Sequence, residues 1–345
     1  MKDFLLKLLS GMAIAVVIAL APNAILGGLL KPYTHIHAVG LFADALVILQ
    51  ALLSLITGVL VGLNFNFNPL KSSIIGAAAF IASGVVKHTP NGLVLAGVGD
   101  LLTVLIVVAL AVKITQWLGD KFGSLTIILQ PIAVGVFCGF LGLFILPYTT
   151  GVTLQIGQAI MYFTQLHPLL MCVLISISYA FIIISPISTV AVSLIIGISG
   201  LASGAANMGV VSTTAVLIVG SLLAKNKAGV SVAILLGAMK MMIPNFFKSP
   251  IMATCVFANG MLAGLITYFF QITGDAKSAG FGLVGLIGPI KAYEEALLNQ
   301  LDLPLMRVVL TYGVLPFVGA IILHFLCCKL FRAYQHKIYY FQQAA

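Results

Sequence analysis

The chain has 345 residues, of which 61% are hydrophobic and only 7% charged, with a mean hydropathy of +1.19. No water-soluble globular domain has that balance, so the composition excludes the soluble classes and defines a polytopic membrane protein. The net charge of +9 is scattered over loops and ends without a basic helix or an RNA-binding fingerprint. It therefore fits positive-inside loops and contact with anionic lipid, and no nucleic-acid partner is expected.

A membrane span needs roughly 20 apolar residues. Ten runs approach that length: 8–30, 39–63, 93–117, 125–147, 168–184, 188–205, 210–224, 229–243, 251–272 and 303–326. The basic start, Met1 to Lys7, precedes a run too long for a signal peptide and is expected to stay cytoplasmic. Lys329, Arg332 and Lys337 stand among tyrosines at the other end, an interfacial anchor that predicts a cytoplasmic C-terminus and an even span count.

Two segments read as re-entrant hairpins or half-helices: 71–86, rich in small residues, and 281–290, studded with glycine. Irregular backbone at membrane depth is tolerated only where protein buries it or water reaches it. Residues 149–163 are amphipathic and are expected along the interface. The fold class is thus all-α polytopic, with about ten transmembrane helices and two re-entrant hairpins in a single membrane domain over 1–345. A faint internal repeat is suggested by Ala-Ser-Gly followed by Asn and Gly, at 82–92 and again at 202–209.

Polar side chains inside these runs are the candidates for function, because each is costly in hydrocarbon. Asp44 and Asp100 are the intramembrane acids, open to binding a hydroxyl, a cation or a proton, or to structural pairing. Gly97-Val98-Gly99-Asp100 also spells the Gly-x-Gly-Asp of intramembrane aspartyl proteases, with Asp44 as the one available second carboxylate, although the partner motifs of those enzymes are missing. In 64–70, Asn-Phe-Asn-Phe-Asn-Pro-Leu, an extended chain would set Asn64, Asn66 and Asn68 on one polar face and Phe65 and Phe67 on an apolar one, a pairing suited to sugars. Asn91 and Asn207, next to glycines, are read as caps of half-helices that present backbone donors. His88 reads as a solvated loop residue.

The stretch 240–251, Lys-Met-Met-Ile-Pro-Asn-Phe-Phe-Lys-Ser-Pro-Ile, interrupts an apolar region with two lysines and two prolines. It is expected to be irregular and to wall a polar site through Asn245 and Lys248, with Lys240 snorkelling from a helix end. Lys248 would favour an anionic ligand. Glu294 and Glu295 are read as a solvated loop. The five cysteines lie in apolar runs as structural thiols; no metal, cofactor or catalytic nucleophile is expected.

With these motifs in this order, the chain resembles the membrane IIC-type proteins of the bacterial sugar phosphotransferase system, most closely the free-standing IIC-like branch. The resemblance covers residues 10 to 330. It implies a homodimer in the bacterial inner membrane that moves a small polar solute, a sugar or related metabolite, by an elevator-like alternating-access mechanism. A IIC subunit coupled to separate IIA and IIB phosphocarriers is the alternative it carries. The Gly-Ile-Thr-Glu motif of the glucose-type branch is not found here, nor is a phosphocysteine or phosphohistidine domain. The expected substrate lining is Asn64, Asn66, Asn91, Asp100, Asn207, Asn245 and Lys248.

Overall fold

The computed structural model describes residues 2–90, 92–119 and 121–341; Asn91 lies outside them. The described chain is mostly helical and packs as two compact units, Met1–Val152 and Thr153–Gln342.

The first unit opens with α1 (Lys2–Leu30) and a short 3-10 turn, then α2 (His37–Ala51) and α3 (Leu53–Asn64), which meet at a 48° bend. Helix α4 (Pro69–Ala82) folds back on α3 so closely that a Cβ on Gly58 would stand 2.7 Å from the Gly76 Cα. Such small-residue contacts are how helices associate in lipid, where no hydrophobic effect separates one apolar surface from another. An antiparallel hairpin of β1 (Val86–Thr89) and β2 (Gly92–Leu95) leads into α5 (Leu101–Leu118). Helix α6 (Thr126–Gln130) then continues through a π-turn into α7 (Phe137–Phe163), one apolar run of 38 residues. Leu8, Val61, Ile75, Ala78, Val104 and Val108 form the buried core of this unit.

Helix α8 (Pro168–Ile182), the short α9 (Thr189–Ile196) and α10 (Gly200–Leu223) begin the second unit. They are followed by α11 (Ala228–Leu235), a 3-10 turn at Met239–Met242, α12 (Ile243–Lys248) and α13 (Met252–Phe270). Last come α14 (Ile287–Leu298), α15 (Pro304–Val308) running through a second π-turn into α16 (Leu315–Leu330), and a 3-10 turn at His336–Tyr339. Helix α10 is the centre of this unit: 83% of its span is buried, against 33% to 50% for the other long apolar helices. Its small residues permit this, since a Cβ on Gly209 would stand 2.2 Å from the Ser176 carbonyl oxygen of α8.

Six described helices are long and apolar enough to cross a membrane, seven if the bent α2–α3 pair is one span, so ten is not reached. Runs 188–205 and 210–224 are not two spans. The first is cut at 197–199, and its second half fuses with the other run into α10. Alanine, serine and glycine there are packing residues of a buried helix rather than a break. Run 229–243 holds only seven of the eight residues of α11 before the chain turns. Residues 149–163 are not a separate interfacial helix either; they continue α7 past Pro147. The suggested repeat is not structural, because Ala82-Ser83-Gly84 closes α4 whereas Ala202-Ser203-Gly204 lies inside α10. Segment 71–86 forms most of α4, a helix too short to span, and segment 281–290 is a turn with positive φ at Gly282, Gly285 and Leu286 that runs into the first turn of α14.

Candidate functional site

Irregular backbone gathers in the second unit around α10. Helix α9 ends at Gly197, which takes the left-handed conformation (φ +63°), and α10 begins at Gly200, also at positive φ (+59°). Glycine reaches that region without the Cβ cost that other residues carry. The break is held from outside: Gly200 N–H donates to Gly274 O at 2.8 Å and Gly274 N–H to Gly200 O at 3.1 Å. The Ser203 hydroxyl donates to Asp275 O at 2.8 Å.

At this break the carbonyl end of α9 and the amide end of α10 come together. Ser199, the N-cap of α10, makes no side-chain cap, so beyond the engaged Gly200 N–H the first turn of this 24-residue helix keeps donor capacity at Leu201 and Ala202. A cavity of about 360 Å³ opens beside it, lined by Met161, Thr164, Met171, and by Ile196, Ser199 and Ala202 of the break. That volume falls within the ~300–1,000 Å³ usual for small-molecule sites. Its lining holds two hydroxyls, helix-end carbonyls and amides, apolar walls, and no charged side chain.

The other end of α9 carries a second cluster of broken backbone. Lys240 is 7% exposed, and its ammonium donates to the carbonyls of Ser185 and of Ile187, the latter at 2.8 Å. The Thr189 hydroxyl donates to Gly280 O at 2.8 Å. Gly280, Gly282, Gly285 and Leu286 all have positive φ, and Gly282 N–H donates to Asn207 Oδ1 at 3.1 Å. Asn207 Nδ2 and the Tyr312 hydroxyl are buried without a protein partner. A Cβ on Gly288 would lie 3.3 Å from both Asn207 Cγ and Tyr312 Cε1, so the two stand on either side of that glycine. A buried polar atom left unpaired costs about 1–3 kcal/mol, which makes this pair a place for water or a ligand hydroxyl.

Asn207 thus sits at the glycine-rich loop, whereas Asn245 is engaged elsewhere: its Nδ2 donates to Ile338 O at 2.8 Å and Tyr340 O at 3.0 Å, holding the C-terminal segment. Lys248 is exposed at the end of α12. In the first unit, 64–70 is not an extended strip of amides. Asn64 ends α3 and donates to Lys7 O at 3.0 Å, Asn66 takes φ +60° in the turn, and Asn68 caps α4. Asparagine is the residue that most readily serves as αL turn and N-cap, so its alternation here is turn chemistry. Asp100 caps α5, accepting from the Thr103 amide at 3.0 Å and hydroxyl at 2.6 Å, and its N–H donates to Ser83 O at the C-terminal end of α4. Asn64 and Asn66 lie at the opposite end of the α3–α4 pair, so one lining does not include them and Asp100. Asp44 is exposed on α2 and shares no hydrogen bond with Asp100, so the paired carboxylates of an aspartyl protease are not formed. None of the expected residues lines the cavity, among the described residues.

Glu294 and Glu295, read as loop residues, instead join Asp275 around Lys291, at 3.7, 3.0 and 3.5 Å respectively. Partial burial alone would raise the Asp275 carboxyl, but the Ser278 amide and hydroxyl and the Lys291 ammonium outweigh it and hold the group below its ordinary value. The residues missed are Gly197, Ser199 and Gly200, whereas Lys240, read as snorkelling from a helix end, is instead enclosed on the Ser185 and Ile187 carbonyls. Gly197-Ile198-Ser199-Gly200 was visible as two glycines around a serine, hidden because hydropathy averages over the apolar neighbours.

A discontinuous helix beside a small uncharged cavity, inside a bundle of apolar helices, is an arrangement found in membrane transporters. The chain also matches the family model "Phosphotransferase system, EIIC" over residues 6–341. It belongs to that family: it is a multi-pass protein of the bacterial inner membrane and the membrane component of a sugar phosphotransferase system, which works with IIA and IIB phosphocarriers. No curated protein and no solved structure matches the chain.

Proposed function

We propose that the sugar binds at the α9–α10 break, in the cavity between Thr164, Met171 and Ser199–Ala202, and is presented there to a phosphorylated IIB partner. The observation that carries this reading is the break itself, where carbonyl and amide ends of two helices meet beside an uncharged cavity. Sugar hydroxyls both donate and accept, so facing carbonyls and amides suit a neutral polyhydroxyl solute better than an anion. Lys248 does not line the cavity, and the anionic preference inferred from it has no support there. Asn207 acts from a distance by fixing the glycine-rich loop through Gly282.

Both the break and the cavity belong to the unit Thr153–Gln342 alone, as an elevator-like mechanism requires of the part that carries the solute. That movement, and assembly as a homodimer, are part of the same reading. Equilibrium binding of radiolabelled hexoses and disaccharides to the purified protein tests the site. Ala202→Phe fills the cavity and is expected to weaken binding by about tenfold or more, ~1.4 kcal/mol or above, while Ala202→Ser stays near the parent. Unchanged affinity in a monodisperse Ala202→Phe protein would place the sugar elsewhere.

A further inference from the structure

His324 and Cys328, one turn apart on α16, meet His336 of the C-terminal 3-10 turn, so that one ligand atom from each lies within 4.8 Å of the others. His324 Nε2 and His336 Nδ1 are 2.8 Å apart with their rings stacked at an interplanar angle of 7°. The other nitrogen of His324, Nδ1, is 3.2 Å from the Tyr334 hydroxyl, which lies 2.7 Å from the Tyr339 hydroxyl. His324 is buried, while Cys328 and His336 are half-buried and so can be reached by an ion.

We infer that His324 Nε2, His336 Nδ1 and Cys328 Sγ form a binding site for a borderline-soft divalent metal ion of the zinc class. Two imidazoles and a thiolate are nitrogen and sulfur donors of the kind zinc takes, and three protein ligands leave a fourth position open; the same donor set also suits copper. Tetrahedral zinc would set the two nitrogens about 3.4 Å apart and each about 3.6 Å from the sulfur. The rings therefore open by roughly half an ångström from their hydrogen-bonded contact, and Cys328 closes on them by rotation of its side chain.

Binding releases one proton, that of the Cys328 thiol, and forms the metal–sulfur bond in its place. With His324 ligating through Nε2, its one ring proton sits on Nδ1, exchanged through solvent, and Nδ1–H donates to the Tyr334 oxygen, whose O–H donates in turn to the Tyr339 oxygen. Such a hydrogen bond to the non-ligating nitrogen fixes the orientation of nearly every metal-bound histidine, and it stands in place here before any metal arrives. The ion would tie α16 to the C-terminal segment. Four asparagine-mediated contacts already hold that segment against Asn226 and α12: Asn226 Nδ2 to Tyr339 O at 2.8 Å, Phe341 N–H to Asn226 Oδ1 at 2.9 Å, and Asn245 Nδ2 to Ile338 O at 2.8 Å and Tyr340 O at 3.0 Å. Metal would make this dock tighter and conditional.

Cobalt(II) titrated into untagged, chelator-stripped protein in detergent reads the site directly. The expected result is one tightly bound equivalent with a thiolate-to-cobalt charge-transfer band and tetrahedral ligand-field absorption, displaced by zinc. Cys328→Ser should abolish the charge-transfer band, and His336→Gln should weaken binding by at least about tenfold. Tyr334→Phe should keep the band but lower affinity by about 10–100-fold, as loss of an orienting partner does. Cys327→Ala should change neither. Parent protein that binds cobalt without a thiolate band, or a band that survives Cys328→Ser, would overturn the assignment.

Discussion

Lys240 shows how one side chain can be structural where its chemistry invites a functional reading. Its ammonium is nearly enclosed, and it gives donors to the Ser185 and Ile187 carbonyls, which the chain break between α8 and α9 leaves without helical partners. Hydrogen bonds to a charged donor are worth about 1.5–3 kcal/mol each. Lys240→Met keeps the length of the side chain and removes both bonds, so a loss of about 3 kcal/mol or more is expected, read as a lower unfolding midpoint in detergent. A protein that unfolds at the parent's temperature but no longer binds sugar would instead make Lys240 a ligand-contacting group. Its position in a polar interruption was legible in the sequence; its partners were not, because backbone carbonyls freed by a break some 50 residues away leave no mark on composition. The asparagines failed for a related reason. Asn64, Asn68, Asn226 and Asn245 all satisfy backbone groups, and an amide that caps, turns or staples is spelled the same as one that grips a sugar.

At the level of elements, α10 carries the second unit through close approach. Gly209 faces the Ser176 carbonyl at a distance no Cβ could occupy, while Gly229 in the first turn of α11 is exposed with open space around it. Gly209→Ala must push α8 and α10 apart along a contact that includes the Thr213 hydroxyl bond to Ala180 O at 2.9 Å. Overpacking of this kind costs about 1–3 kcal/mol. Gly229→Ala meets nothing and gains helix propensity, up to about 1 kcal/mol. The pair of variants should therefore move unfolding midpoints in opposite directions, and equal midpoints would mean that α8 and α10 have slack. The helical, membrane-spanning class was legible because apolar composition leaves the backbone no alternative. The division of α9 from α10 was not: two glycines and a serine decide it against the favourable hydropathy of the rest of run 188–205, and small residues of the same kind pack the next helix.

For the whole molecule, family membership and geometry make separate demands that one measurement can hold apart. The family assigns a sugar that is phosphorylated in the course of entry, with the phosphoryl group coming from IIA and IIB proteins. On the proposed reading the break and cavity hold the sugar through hydroxyls and helix-end groups, and the phosphocarriers supply the phosphoryl chemistry. Such a carrier lowers a barrier without itself setting a gradient. Reconstituted in liposomes without a phosphoryl donor, the protein is then expected to equilibrate its sugar across the bilayer and stop. With the phosphocarriers and a donor enclosed, the internal sugar should rise well above the external level and be recovered as its phosphate. Ala202→Phe should reduce both rates together, since both pass through one binding step. Uphill accumulation of free sugar without a donor would remove phosphotransfer as the driving force, and donor-dependent phosphate formation that Ala202→Phe left untouched would separate the phosphorylated sugar's route from the α9–α10 break.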